Sequence, residues 1–144
     1  MKPIDIYYEN LAAITKNNLE KRQFECHYCK TAAEAVSLAL DMVEPGSTVS
    51  FGGSMTLAES GMGKALAERE DITLLDRSKA SSPEEVAEIY HQALSADYYF
   101  MSSNAITLEG ELINTDGTGN RVAALIYGPK NVILLAGMNK VAHT

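Results

Sequence analysis

A chain of 144 residues is long enough for one domain with a substantial core and too short for two ordinary ones. Its 46% apolar and 22% charged residues suit a folded protein, while a formal net charge of -7 argues against nucleic acid or an acidic membrane surface as partner, since either needs a concentrated basic face. The longest apolar runs, around Ala123 to Tyr127 and Val132 to Ala136, are well short of the ~20 residues that span a bilayer.

In chain order, Ile4, Tyr7, Leu11 and Ile14 recur at helical spacing, with Tyr8 and Leu19 widening the stripe, which predicts an amphipathic helix over residues 4 to about 22. Phe24 to Tyr28 is short and aromatic and reads as a strand. Thr31-Ala32-Ala33-Glu34 is a capping-box pattern, and Val36, Ala39, Leu40 and Val43 continue a helix that Pro45-Gly46 stops. Thr48 to Phe51 is a compact strand running straight into Gly52-Gly53-Ser54, with helical register resuming at Met55. Gly61 and Gly63 precede a helix from Lys64 to about Arg69, and Ile72 to Leu75 is a strand that ends in Asp76-Arg77.

Ser82-Pro83-Glu84-Glu85 opens a second capped helix with proline at its first position, buried through Val86, Ile89, Tyr90, Ala93 and Leu94. Asp97 to Met101 is a strand, Glu109-Gly110 centres a hairpin-like pair, a helix runs from about Thr118 to Tyr127, and Val132 to Ala136 is the last clear strand. Near-continuous apolar strands alternating with helices predict a three-layer α/β/α architecture around a mostly parallel sheet, in a single domain over residues 1–144. The chain stops at Thr144 soon after a strand, which raises the expectation of a longer parent chain or a partner.

Polar residues gather where two strands end. In open parallel sheets, ligands bind outside the carboxyl ends of the strands. The Phe51-Gly52-Gly53-Ser54-Met55-Thr56 turn offers backbone amides and the Ser54 and Thr56 hydroxyls to an anion; its plainer reading is a tight turn with Ser54 as a helix cap. The glycine spacing is not that of a Walker loop, and Gly61-Met62-Gly63 lacks the third glycine of a dinucleotide fingerprint. After the strand ending at Ser102, the residues Asn104, Asn114, Asp116, Thr118, Asn120 and Arg121 crowd around Gly117 and Gly119. They are expected to form the second wall of a pocket, with Asp116 and Glu111 as acid or base groups and Arg121 as an anion clamp. The alternative is that Asp116 or Thr118 caps the helix and Arg121 makes a surface ion pair.

Cys26-His27-Tyr28-Cys29 is a lone Cys-x-x-Cys on a predicted strand, where positions three apart face opposite sides, and His91 and His143 are remote; no metal site is expected. Two cysteines do not make a disulfide framework, and Met1-Lys2-Pro3-Ile4-Asp5 has no apolar signal region, so the protein is expected to be cytoplasmic.

Ser102-Ser103-Asn104-Ala105-Ile106-Thr107, Glu109-Gly110-Glu111-Leu112, the run Asn114 to Ala123, Tyr127-Gly128-Pro129-Lys130 and Asn139-Lys140 closely resemble the LUD-domain (lactate utilisation, LutC/YkgG-like) family. Phe51 to Leu57 and Asp76-Arg77 fit the same family. The resemblance implies a NagB/RpiA/CoA-transferase-like fold and a part in oxidising L-lactate to pyruvate beside an iron-sulfur protein. It implies no cofactor in this chain, any cluster lying in that partner or in the cysteine-bearing tail with which longer members continue. Further copies of the same chain are the other partner this reading admits.

More distantly, Ser102 to Thr118 is similar to a segment of sugar-phosphate isomerases related to methylthioribose-phosphate isomerase. Asn104 stands in place of their catalytic aspartate and Thr115 in place of a lysine, and an amide is no general base near neutral pH. The leading expectation is a small anionic metabolite bound by Gly52, Gly53, Ser54 and Thr56 and oriented by Asn104 and Asn114. Gly117, Thr118 and Asn120 complete the wall, Asp116 or Glu111 handles protons, and Arg121 or Lys140 neutralises charge. An isomerase or CoA-transferase-like enzyme and a non-catalytic subunit are the alternatives.

Overall fold

The computed structural model describes residues 2–53 and 55–143. Its centre is a four-stranded sheet whose strands are all parallel. They are β1 (Thr48–Phe51), β2 (Thr73–Leu75), β3 (Tyr98–Met101) and β6 (Asn131–Leu134), in the order β2-β1-β3-β6. A second sheet is built from β4 (Ala105–Thr107), β5 (Leu112–Ile113) and β7 (Val141–Ala142), with β4 antiparallel to β5 and parallel to β7. The helices are α1 (Pro3–Lys21), α2 (Ala32–Met42), α3 (Met55–Ser60), α4 (Met62–Glu68), α5 (Pro83–Ala93) and α6 (Asn120–Tyr127).

The three layers follow from strand parity. Alternate side chains of a strand point to opposite faces. Val49, Tyr98 and Phe100 pack with Ala39 and Val43 from the end of α2, Leu57 of α3, and Met62 and Leu66 of α4. Tyr99 and Met101, the intervening residues of β3, pack instead with Ala93 of α5 and Ala124 of α6, joined by Val132 and Leu134 of β6. Every residue of β3 is buried, which explains why Tyr98 to Met101 reads as an unbroken apolar run. The mostly parallel sheet between helical layers is the architecture expected from the sequence.

Local signals are met closely. Thr31 Oγ1 accepts from Glu34 N and Ser82 Oγ from Glu85 N, both at 3.2 Å. The reciprocal glutamates reach one residue further back than a capping box requires: Glu34 accepts from Lys30 N, and Glu85 from Ser81 N and Oγ.

Two expectations fail. Phe24 to Tyr28 is not a strand: it has no ladder partner, and Phe24 N is used to close the end of α1 on Leu19 O. Short aromatic content favours a strand only where an edge is free to pair with it. The buried face of α1 is Ala12, Thr15 and Leu19, while Ile4, Tyr7 and Ile14 are each nearly half exposed. The rotation of α1 is set at its end by the second sheet. Asn18 Nδ2 donates to Leu108 O at 2.7 Å, Arg22 Nε donates to Glu109 O, and Gly110 lets the hairpin touch the Asn18–Leu19 backbone. A Cβ on Gly110 would lie 3.0 Å from that backbone, and its φ of +89° is disfavoured for other residues.

Three outcomes follow for stability. Phe100→Ala, which empties a fully buried site, should cost about 3–5 kcal/mol in urea unfolding. Gly110→Ala should cost more than the ~1 kcal/mol of an ordinary unfavourable glycine replacement, and its loss should be accompanied by loosening of α1 in hydrogen exchange. Asp97 accepts from Thr48 N at 2.9 Å and pairs with Lys130, contacts that hold its carboxyl below the usual range, the Thr48 amide contributing most. A depressed folded pKa means that this stabilisation is complete above the unfolded value of about 3.9 and is lost as pH falls through the folded value. Asp97→Asn should therefore flatten the acid side of a melting-temperature profile below about pH 4.

Candidate functional site

The strand order places the site. From β1 the chain moves outward to β2, returns across β1 to β3, and continues the other way to β6, so the direction of winding reverses between β1 and β3. A crevice opens at such a reversal, beyond the carboxyl ends of the two strands. Here those ends are Gly52-Gly53 after β1 and Ser102 to Asn104 after β3. The two loops singled out in the sequence thus converge, and a polar cavity of about 310 Å³ lies between them. Gly53 and Arg77 line one side; Asn104, Thr115, Asp116, Asn120 and Arg121 line the other.

Arg121 organises the second wall. Its Nη1 donates to Ser102 O at 3.2 Å, and its Nη2 to Asn104 Oδ1 at 2.6 Å and Thr115 O at 3.2 Å. Nε lies 2.9 Å from Asp116 Oδ1 without the alignment of a hydrogen bond, so that contact is an ion pair by proximity. The Asn104 amide oxygen also accepts from Thr115 N at 2.9 Å. Asp116 Oδ2 accepts from Val122 N at 2.7 Å, satisfying one of the free amides in the first turn of α6. Both plain readings of these residues are therefore realised in part: Asp116 does cap the helix, and Arg121 does pair with it. The pair is nevertheless mostly enclosed, with side-chain exposures of 13% and 11%, and it faces the cavity.

Of the other expected site residues, Gly52 is buried, with its Cα close enough that an added Cβ would sit 3.0 Å from the Tyr99 hydroxyl. Ser54 lies outside the described residues. Thr56, half-buried in the first turn of α3, does not line the cavity. Asn114 is half-buried and its Oδ1 has no partner among the described residues; the same holds for the buried Ser102 and Ser103 hydroxyls at the end of β3. Gly117 and Thr118 are exposed in the turn before α6, Thr118 Oγ1 donating to Asn120 Oδ1 at 2.6 Å. Glu111 sits at the hairpin, where Thr107 Oγ1 donates to it, and Lys140 lies in a 3₁₀ turn before β7; neither lines the cavity.

Arg77 and Tyr99 are the members that sequence reasoning missed. Arg77 is the second residue after β2, so its place at the carboxyl edge of the sheet was available as a signal. A Cβ on Gly53 would collide with its Nη2. Arg77 Nη1 donates to Tyr90 OH at 2.7 Å, and its guanidinium carbon is 5.7 Å from the Tyr90 ring centre. Tyr99 shares with Arg77, Tyr90 and Asn120 a cavity of about 10 Å³ beneath β1. Burial first, and the Asp116 carboxylate second, push its phenol up to about 12, with Arg77 and Arg121 opposing. Its hydroxyl therefore remains a neutral donor across the physiological range.

Cys26 and Cys29 are half-buried free thiols in the loop after α1, and burial pushes Cys26 up. A cluster needs about four thiolate ligands, and two cysteines with one raised thiol do not fit that donor set. Among the described residues no group of three or more His, Cys, Asp or Glu is placed to hold a metal. No helix of the described residues is long and apolar enough to cross a membrane.

The profile described as LUD domain matches residues 12–144. This chain belongs to the LUD-domain family. Membership relates the chain, at the level of the family, to lactate utilisation. No curated protein matches the chain. In this LUD domain the matched region contains both cavity walls and, among the described residues, all seven strands and every helix except the start of α1.

The wall is expected to be a structural unit before it is a binding one. Arg121→Ala would leave Asp116 enclosed without its cation and release Ser102, Asn104 and Thr115, so it should lower the unfolding free energy of the unliganded chain by about 3 kcal/mol in chemical denaturation. Asp116→Asn, whose amide oxygen can still accept from Val122 N, should cost less than Arg121→Ala.

Proposed function

We propose that this LUD domain binds a small anionic metabolite, of the class of short hydroxy and keto acids, in the cavity between the Gly52-Gly53 turn and the Asn104 to Arg121 wall. In this reading it serves the oxidation of L-lactate to pyruvate as the partner of an iron-sulfur protein. The observation that carries the binding step is electrostatic. Two guanidinium groups, Arg77 and Arg121, and one carboxylate, Asp116, face the same cavity, leaving one positive charge in excess within a chain of net charge -7. A cleft of one sign in a protein of the other concentrates the counter-charged ligand. The remaining lining is amide, hydroxyl and glycine, suited to orienting a small oxyanion through hydrogen bonds.

Asp116 is the carboxylate nearest this chemistry, and both its oxygens are already engaged, one by Val122 N and one by Arg121. That favours a binding role over general acid-base work. Asn104 likewise holds Thr115 N and Arg121, so the isomerase-like alternative has an amide locked in the wall where it needs a base. The redox step belongs in this reading to the partner, because the chain's own thiols do not suit a cluster.

Thermal denaturation of the chain with L-lactate, pyruvate, a sugar phosphate and an acyl-CoA tests the assignment. A ligand at a hundred times its dissociation constant adds ~2.7 kcal/mol of stability, so L-lactate or pyruvate should raise the melting temperature clearly. A rise with sugar phosphate or acyl-CoA alone would replace this reading with the transferase or isomerase one. No rise with any of the four would overturn the anion site in the isolated chain.

A further inference from the structure

The chain has four arginines, Arg22, Arg69, Arg77 and Arg121. Three are committed to oxygen acceptors of the fold. Arg22 donates to Glu109 O. Arg69 donates to Leu40 O and Val43 O and pairs with Asp71 at 2.8 Å. Arg121 is held by Ser102 O, Asn104, Thr115 O and Asp116.

Arg77 is different. Among the described residues its guanidinium meets no carboxylate and no backbone carbonyl, and its hydrogen bond goes to the Tyr90 hydroxyl. The adjacent Asp76 is turned away, Oδ1 accepting from Ser78 N at 2.9 Å and Ser78 Oγ at 2.6 Å. A half-buried cation without a counter-charge is costly, and the cost is relieved by an anion brought from outside. The surroundings admit one. Arg77 lies on the 310 Å³ cavity and is pressed against Gly53, where any side chain would displace it, so the second glycine of the turn makes room for this guanidinium as well as baring amides.

Resting on the anion-site reading above, we propose that Arg77 is the cation that contacts the bound anion, that Tyr90 is its positioning residue, and that Arg121 is the wall. Tyr90 fixes one arm of the guanidinium fork from α5, leaving the other arm for the ligand. Arg121, with both its terminal nitrogens donating to the wall and Nε beside Asp116, shapes the cavity and contributes charge at second hand. The division explains why two arginines on one cavity have such different partners.

The test is isothermal titration of pyruvate and of inorganic phosphate into the full chain and its variants. Arg77→Ala should weaken whichever probe binds the wild type at least about tenfold, the equivalent of losing a charged hydrogen bond, with little change in the unliganded melting temperature. Arg77→Lys keeps the charge but not the planar fork and should fall between the two, which also covers a poorly folded alanine variant. Tyr90→Phe should weaken binding severalfold, and that loss should vanish in an Arg77→Ala background, as expected of a residue acting through another and not of a merely structural one. If the wild type binds and Arg77→Ala binds equally well, Arg77 is not the ligand's cation and the proposal is wrong. It is equally wrong if Arg121→Ala abolishes binding with its unliganded stability intact. If the wild type binds neither probe, the anion-site reading itself falls and takes this assignment with it.

Discussion

Everything in this molecule is arranged around a central strand buried on both faces. β3 lies between β1 and β6, and its four residues divide alternately between two cores, Tyr98 and Phe100 toward α2, α3 and α4, Tyr99 and Met101 toward α5 and α6. No polar side chain is tolerable within such a strand without a partner, so polar residues begin where it ends, at Ser102. The same geometry that forbids chemistry inside the sheet concentrates it at the carboxyl edge. Because winding reverses between β1 and β3, that edge is also a crevice.

Charge is then distributed according to what the fold can satisfy. Arg69 closes the carbonyl end of α2 and Arg121 ties the end of β3 to the start of α6, tasks suited to a planar fork with several donors. Asp116 meets Arg121 with one oxygen and the α6 amide with the other, so a residue with the look of an acid-base group is largely occupied in construction. Tyr99, buried and close to Asp116, keeps its proton and stays a donor. The site that emerges sets the Arg121–Asp116 wall opposite Arg77, which among the described residues meets no carboxylate.

The second sheet has a different task. Its β4 continues from the end of β3 through Asn104, whose backbone N–H donates to Ile113 O in β5, so the hairpin steadies the loop that forms the cavity wall. α1 is docked on this sheet through Asn18, Arg22 and the bare Gly110, and is therefore linked to the site through the hairpin rather than by direct contact. The tight approach at Gly110 overrides the apolar stripe in choosing which face of α1 is covered.

What the sequence determined by itself was whatever depends on neighbours along the chain. Capping residues Thr31 and Ser82, the strand at Thr48 to Phe51, the hairpin at Gly110 and the alternation that implies a parallel sheet are all local or periodic signals, and all were legible. The convergence of the Gly52-Gly53 turn with the Asn104 to Arg121 stretch was legible too, because ligands of parallel sheets gather at one edge whatever the sequence. Tertiary structure decided the rest. Phe24 to Tyr28 found no edge to pair with; α1 was turned by contacts nearly ninety residues away; and Val141–Ala142 became a strand only because β4 was there to receive it. Above all, whether an arginine is a clamp or a buttress depends on which carbonyls and carboxylates surround it, and Arg77 and Arg121 have the same side chain in the sequence. Their partners come from separate segments brought together only by folding, and no pattern along the chain encodes a contact across it.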